Sequence, residues 1–276
     1  MKLRWLTLLL LLIGGSPATF GQLTGTNPVV RFHTDLGDID TLLIQDVAPN
    51  TVANFLKYVR RGDYDNTFIH RSILNFVIQG GGFTFVNGQV VAIRQDAAVI
   101  NEFHVSNTRG TLAMAKVAGN PNSATNQWFF NESNNNAANL DTQNGGFTVF
   151  GRIISASGLT TMDKIAVVPI DNQGPGFEEL PLLNYIKGQT VVDANLVHVL
   201  WIKVVPQIVA LTHPSANTIH VQGRGQPSTS YKLEMSATPI GSGFTTSVTV
   251  TTGTGGNFAF DDTTPGTKKF YRVTTL

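Results

Sequence analysis

Apolar residues in this sequence gather in short runs bounded by Gly, Pro, Asn and Asp, a pattern that favours strands over a helical fold. VVRFH at 29–33 and IDTLLI at 39–44 flank the turn Asp35-Leu36-Gly37-Asp38 and read as a hairpin. TLAMAK at 111–116, QWFFN at 127–131, FTVFGRII at 147–154 and VHVLWIKVV at 197–205 read as further strands. Helical spacing occurs twice. Val52, Phe55, Leu56 and Val59 fall at i, i+3, i+4 and i+7 after Asn50, which reads as an N-cap, and Gly62 follows as a stop. Leu159, Met162 and Ile165 lie near one face of a second, shorter helix over 159–166. Many strands with one early and one late helix predict a mainly β fold: a closed barrel capped by two helices.

Two segments stand apart. Residues 171–196 carry Gly, Pro and Asn and read as a surface excursion. From Pro206 the chain turns rich in Thr, Ser and Gly. Strand-like runs at 218–221, 231–235, 246–251, 258–260 and 270–273 predict a small β-sandwich over 206–276. The N-terminus, MKLRWLTLLLLLIGGSPATFGQ, sets Lys2 and Arg4 before a short apolar core that Gly14, Gly15 and Pro17 break. It reads as a signal peptide over 1–21, with small residues Thr19 and Gly21 before a cut at Gln22; an uncleaved anchor is the alternative. Cleavage would leave a chain with no apolar run of membrane-spanning length, exported to the periplasm or beyond.

Composition removes several chemistries. With no cysteine there are no disulfides, thiolate metal sites or cysteine nucleophiles. A net charge of +1 with no basic stripe gives no nucleic-acid footprint. The six histidines are scattered singly, so no metal is expected. The most informative stretch is FIHRSILNFVIQGGGF at 68–83, which sets His70, Arg71 and Gln79 in an apolar run. Ser72 lacks a G-x-S-x-G elbow, and Gly80–Gly82 fit neither a P-loop nor a dinucleotide fingerprint. No paired carboxylates stand out. An apolar surface with one cation and one amide remains. It suits binding of an extended peptide, or a reaction without a nucleophile, such as rotation about an X–Pro bond.

At this point the residues take on a family likeness. FIHRSILNFVIQGGGF resembles the F-H-R-x-x-x-x-F-x-x-Q-G-G signature of the cyclophilin-type peptidyl-prolyl isomerases, with Ile69 inserted. RGTLAMAKVAGNPNSATNQWFFN at 109–131, NLDTQNGGFTVFGRII at 139–154 and APNTVANF at 48–55 resemble further family blocks, in order, over about residues 27–205. The resemblance implies an eight-stranded barrel in a domain over 22–205. It implies isomerase activity without cofactor or metal, and clients that are proline-containing segments of extracytoplasmic proteins. Arg71 would be the catalytic donor to the prolyl nitrogen, and Gln79 would hold the substrate backbone and orient Arg71. Phe76, Val77, Phe129 and Leu140 would wall the proline pocket, with Phe147 at its rim. Ala115 and Gln127 would border the groove for residues before proline, and His70 would support it.

The resemblance also sets Asn139 at a substrate-binding position, and the chain departs from the family there and at two of the positions above. Val77 stands where Met is usual, Asn139 replaces a stacking aromatic, and Phe147 replaces His or Tyr. Asn139 and Val77 keep a non-catalytic peptide-binding chaperone on the same fold in play. A second alternative gives the function to residues 206–276, as a surface- or glycan-binding module. The three glycines read as close backbone packing.

Overall fold

The computed structural model describes residues 27–276 apart from 216, 227, 238–243, 245, 255, 264–268 and 276; the expected signal peptide lies outside the described residues. The chain forms two compact units, one spanning Val29–Lys203 and the other containing Val204–Leu276.

The first unit opens with the expected hairpin, β1 (Val29–Thr34) and β2 (Gly37–Leu43). Cross-strand partners Arg31 and Asp40 form a buried two-pronged ion pair, with Nε to Oδ1 at 2.7 Å and Nη2 to Oδ2 at 2.8 Å. Helix α1 (Pro49–Arg61) buries Val52, Phe55, Leu56 and Val59 as the spacing predicts, and Gly62 closes it at φ 72°. Asn50 is not its N-cap. Pro49 starts the helix, and the free amide ends are met from a distant loop. The Glu102 carboxylate accepts from Asn50 N–H (3.1 Å), Asn50 Nδ2 (2.8 Å) and Thr51 N–H (2.8 Å).

The run from 67 to 92 divides into β3 (Thr67–Phe68), β4 (Arg71–Ile73), β5 (Val77–Gly80), β6 (Phe83–Val86) and β7 (Gln89–Ala92). β8 (Thr111–Met114), β9 (Trp128–Asn131), a short helix α2 (Ala137–Leu140) and β10 (Val149–Ile153) follow. Helix α3 (Ala156–Ala166) starts three residues before the predicted 159. Ser155, in extended conformation, caps it by accepting from Gly158 N–H at 3.0 Å. Beyond it, β11 (Ile170–Asp171) and β12 (Leu180–Pro181) form a separate pair. β13 (His198–Val204) completes one mixed-length ladder ordered β4-β5-β9-β8-β10-β2-β1-β13-β3-β6-β7. By pairing this is eleven strands rather than the expected eight, because the 67–92 run breaks into short pieces.

β3 and β4 stand at separate places in that order yet are adjacent in the chain. Phe68 pairs with His198, Ile69 N–H donates to Val197 C=O (2.9 Å), and His70 N–H donates to Gln79 C=O (3.1 Å). The segment Thr67–Ile73 therefore bonds first to the neighbourhood of β13 and then to β5.

Residues 171–196 are more than a surface excursion. Besides the β11–β12 pairing, Leu180, Leu182 and Leu196 are buried with Phe68. Their apolar side chains cover the face of β3 that would otherwise meet water.

The second unit holds β14 (Gln207–Ser215), β15 (Thr218–Arg224), β16 (Ser230–Ser236), β17 (Thr246–Thr251), β18 (Asn257–Asp262) and β19 (Phe270–Thr275). They form two three-stranded sheets, β14-β15-β18 and β17-β16-β19. Ile208, Val221 and Phe258 from one sheet and Tyr231, Leu233 and Tyr271 from the other share a single buried core. β14 is the one strand here that the sequence pattern does not announce, because its LTHPS end reads as a turn.

Two carboxylates, Glu102 and Glu132, give opposite pH signatures. Burial works against ionisation of Glu102, but the hydrogen bonds from Thr51 and Asn50 outweigh it and hold the carboxyl below its usual range. Its contribution is complete above the unfolded value near 4.5 and is lost as pH falls through the lower folded value. Glu102→Ala is expected to cost about 1–2 kcal/mol at pH 7 in chemical denaturation, as for loss of a helix cap. Glu132, which follows β9, is pushed up to about 7 by burial and then by Asp163, with Arg109 opposing. The unfolded chain gives up that proton near 4.5, so folded-state stability falls as pH rises from about 4.5 to 7. Glu132→Gln is expected to raise unfolding free energy by about 2 kcal/mol at pH 8 and by little at pH 4.

Candidate active site

Cross-strand register builds the site. Directly opposed residues in an antiparallel sheet point to the same face, as do residues two apart in one strand. Arg71 on β4 opposes Gln79 on β5, which opposes Phe129 on β9, which opposes Ala113 on β8, which opposes Val149 on β10. One row thus runs from a guanidinium through an amide to an apolar floor. Val77, two residues before Gln79, shares the face. Ala115 N–H donates to Gln127 C=O (3.0 Å), continuing the pairing beyond β8 and β9.

Phe76 arrives by another route. Alternation alone sets it on the opposite face from Val77, so an irregular turn has to redirect it. The turn lies at Leu74–Phe76, where Asn75 takes φ 62° and Phe76 N–H donates to Ile73 C=O at 2.9 Å. The Phe76 ring then lies 5.7 Å from the Arg71 guanidinium carbon. It packs with Phe147 and Ala115 against buried Val77, Ala113, Phe129, Leu140 and Val149. Phe129 and Phe147 meet edge to face with centroids 5.8 Å apart.

Most of the sequence-predicted site residues therefore converge: Phe76, Val77, Ala115, Phe129, Leu140 and Phe147 in one apolar cluster, with Arg71, Gln79 and Gln127 half-buried beside it. Asn139 does not join them and stays exposed on α2. Ala113, Val149, Ile44 and Val105 complete the cluster and carry no sequence signal of their own, since nothing distinguishes them locally from ordinary core.

The polar contacts differ from expectation in one respect. Gln79 does not hold Arg71; its Nε2 donates to Gln127 Oε1 at 2.8 Å. The partner of Arg71 is Glu179, whose Oε2 lies 3.2 Å from Arg71 Nε. Glu179 gives no sequence signal, because it lies 108 positions away in a Gly- and Pro-rich stretch.

His70 is buried, its ring edge-on to Phe83 at 5.0 Å. Burial lowers its pKa to about 4, a Gln127 hydrogen bond opposing and the Arg71 charge adding, so the ring is neutral at pH 7. Ser72 and Asp63 form no triad with it: Asp63 pairs with Arg61. Lys116 Nζ lies 4.7 Å from the Phe147 ring centroid and donates to the Asn144 and Gly146 carbonyls at 2.9 and 2.6 Å. Burial lowers its pKa. Among the described residues no three His, Cys, Asp or Glu gather as a metal site.

The glycines after β5 are packing residues. A Cβ on Gly80 would stand 2.9 Å from Trp128 Cη2, and one on Gly81, at φ 78°, would stand 2.5 Å from Trp128 Nε1. Only glycine lets this backbone pass the buried indole.

An apolar cluster, an adjoining cation and amides that present both donor and acceptor have the chemistry to dock a proline ring and hydrogen-bond its peptide. The family model "Cyclophilin type peptidyl-prolyl cis-trans isomerase/CLD" matches residues 29–185. A peptidyl-prolyl cis-trans isomerase of Acinetobacter baylyi is 42% identical over 151 residues, covering 54% of this chain and 77% of the relative. Peptidyl-prolyl cis-trans isomerase B of Escherichia coli is 41% identical over 154 residues, covering 53% of this chain and 88% of the relative. A solved cyclophilin-type isomerase of Cryptosporidium parvum aligns at 24% identity with TM-score 0.48, over 64% of this chain and 97% of that one. With the matching model spanning more than half its length, the chain belongs to the cyclophilin-type peptidyl-prolyl cis-trans isomerase family.

Proposed function

We propose that the unit of Val29–Lys203 rotates X–Pro bonds with Arg71 as the donor to the prolyl nitrogen. The barrier to that rotation is roughly 18–20 kcal/mol and comes from amide resonance. As the bond twists, the nitrogen loses conjugation and gains a lone pair able to accept a hydrogen bond. A donor fixed beside it binds the twisted amide better than the planar one, which lowers the barrier. The observation that carries the reading is the row Arg71–Gln79–Phe129–Ala113, which sets a permanently charged donor at the edge of an apolar floor. An arginine suits the role because it stays protonated at every working pH.

In this reading Phe76, Val77, Phe129 and Leu140 take the proline ring, and Phe147 forms the rim. Gln79 and Gln127, bonded to each other, offer their remaining donor and acceptor to the client backbone. Ala115 lines the path of the residues before proline, and neutral His70 backs Gln127. The continuous segment Thr67–Ile73 supports reading the ladder as a closed barrel. The chain's own clients are proline-containing segments of extracytoplasmic proteins, a reading supported by the basic n-region and short apolar core of residues 1–21. The unit of Val204–Leu276 lies beyond the matched span and serves as a spacer or a surface- or glycan-binding module.

Arg71→Ala is expected to lower kcat/KM for an X–Pro peptide by about a hundredfold in a protease-coupled assay, the scale of losing one aimed donor. Wild-type and variant rates equal at the uncatalysed background would leave peptide binding without catalysis. Export makes a separate expectation: the mature protein from a bacterial culture fraction begins at Gln22 by N-terminal sequencing, and retention of Met1 would refute cleavage.

A further inference from the structure

We infer that Glu179 is a positioning residue for Arg71, an inference that rests on Arg71 being the donor to the prolyl nitrogen. Glu179 is held beside the arginine by backbone as well as side chain. Its carbonyl accepts from Ser72 N–H at 2.9 Å, so its main chain pairs with the outer edge of β4 one residue from Arg71. The next residue, Leu180, is 4% exposed, pairs through β12 with β11, and packs with Phe68 and Leu182. The carboxylate therefore reaches Arg71 from a fixed base.

The contact leaves the guanidinium ready to act. Glu179 Oε2 takes the Nε–H alone, at 3.2 Å, rather than gripping the group in a two-pronged pair. The four N–H donors on the terminal nitrogens are left to the client. The Phe76 ring, 5.7 Å from the guanidinium carbon, adds a second restraint. An arginine without these contacts spreads over many rotamers, and the transition state alone would have to gather it into place. Glu179 confines that search before the client arrives. The pair is about one-third exposed on each side, so its effect is modest in size.

The test measures kcat and KM by NMR lineshape or coupled assay for wild type, Glu179→Ala, Glu179→Gln, Arg71→Ala, Arg71→Lys and the double variant combining Arg71→Lys with Glu179→Ala. Thermal melting serves as the folding control. Glu179→Ala is expected to lower kcat by about threefold to fivefold with KM unchanged, the range open to a part-exposed pair. Glu179→Gln keeps an acceptor for the same N–H and should stay within about twofold of wild type, a rescue that a purely charge-based role would not give. Lysine has no planar guanidinium to be aimed, although its ammonium can still pair with Glu179, so Glu179→Ala should cost less in the Arg71→Lys background than in the wild type. The inference is overturned if Glu179→Ala is as fast as wild type or faster, if Glu179→Gln falls as far as Ala, or if the loss is undiminished in the Arg71→Lys background. Arg71→Ala at wild-type rate would instead overturn the assignment of Arg71 itself.

Discussion

The architecture of the first unit turns on a single strand segment that serves two neighbours. Thr67 and Phe68 pair with β6 and β13, and Ile69 still donates to Val197. From His70 onward the backbone pairs with β5 instead. Phe68, Ile69 and His70 are almost wholly buried through this switch, so their peptide groups have no water to fall back on. Register is therefore fixed on both sides of the switch. A slip of one residue would turn Phe68 and Ile69 about and break both sets of bonds. Arg71 is the first residue beyond this point, and its direction is inherited from a segment that cannot shift.

The site divides its work between chemistry that titrates and chemistry that does not. Gln79 and Gln127 have no titrating group, and burial keeps His70 neutral at pH 7. Glu132, three residues after Phe129, has its charge resisted by burial. Rotation about a peptide bond requires no proton transfer. A site whose polar groups hold one protonation state, set against a floor of Phe129, Ala113 and Val77, matches that requirement. Val77, shorter and stiffer than an unbranched side chain, gives that floor a defined shape.

What is legible in the sequence follows the range of the interactions. The β1–β2 hairpin, the buried face of α1 and the side-sharing of Arg71, Val77 and Gln79 all come from spacing within a few residues. The turn that redirects Phe76 is foreseeable because alternation and the family likeness disagree there, and Asn75 tolerates positive φ. The cap of α1 is not, since Asn50 is a good local candidate and Glu102 wins from 52 positions away. Glu179 escapes for the same reason. Its segment shows Gly and Pro, which announce turns, while the leucines that bury it show no periodicity over so short a run. Helix α3 begins early because Ser155 outcompetes the apolar pattern as a start signal.

Phe76 and Phe147 lie just outside the strands. The Phe76 carbonyl accepts from Glu132 N–H at 2.8 Å, continuing the pairing of β5 with β9, and both carbonyls also take donors from a chain of three buried asparagines. Asn136 Nδ2 donates to Phe76 C=O and to Asn131 Oδ1, each at 2.7 Å, and Asn131 Nδ2 donates to Asn107 Oδ1 at 3.1 Å. Asn107 Nδ2 then donates to Phe147 C=O at 3.0 Å and to Asp141 Oδ1 at 3.0 Å. The relay ends on Asp141, whose carboxyl is held below its usual range: burial opposes this, but hydrogen bonds from Ser106 and Asn107 prevail. An amide both donates and accepts, so it can relay from one carbonyl to the next where a charged or apolar side chain could not. Phe76 and Phe147 are thereby tied to each other through side-chain amides. Because each member satisfies the next, removing one leaves several buried groups without partners, and the two aromatics and the network stand or fall together.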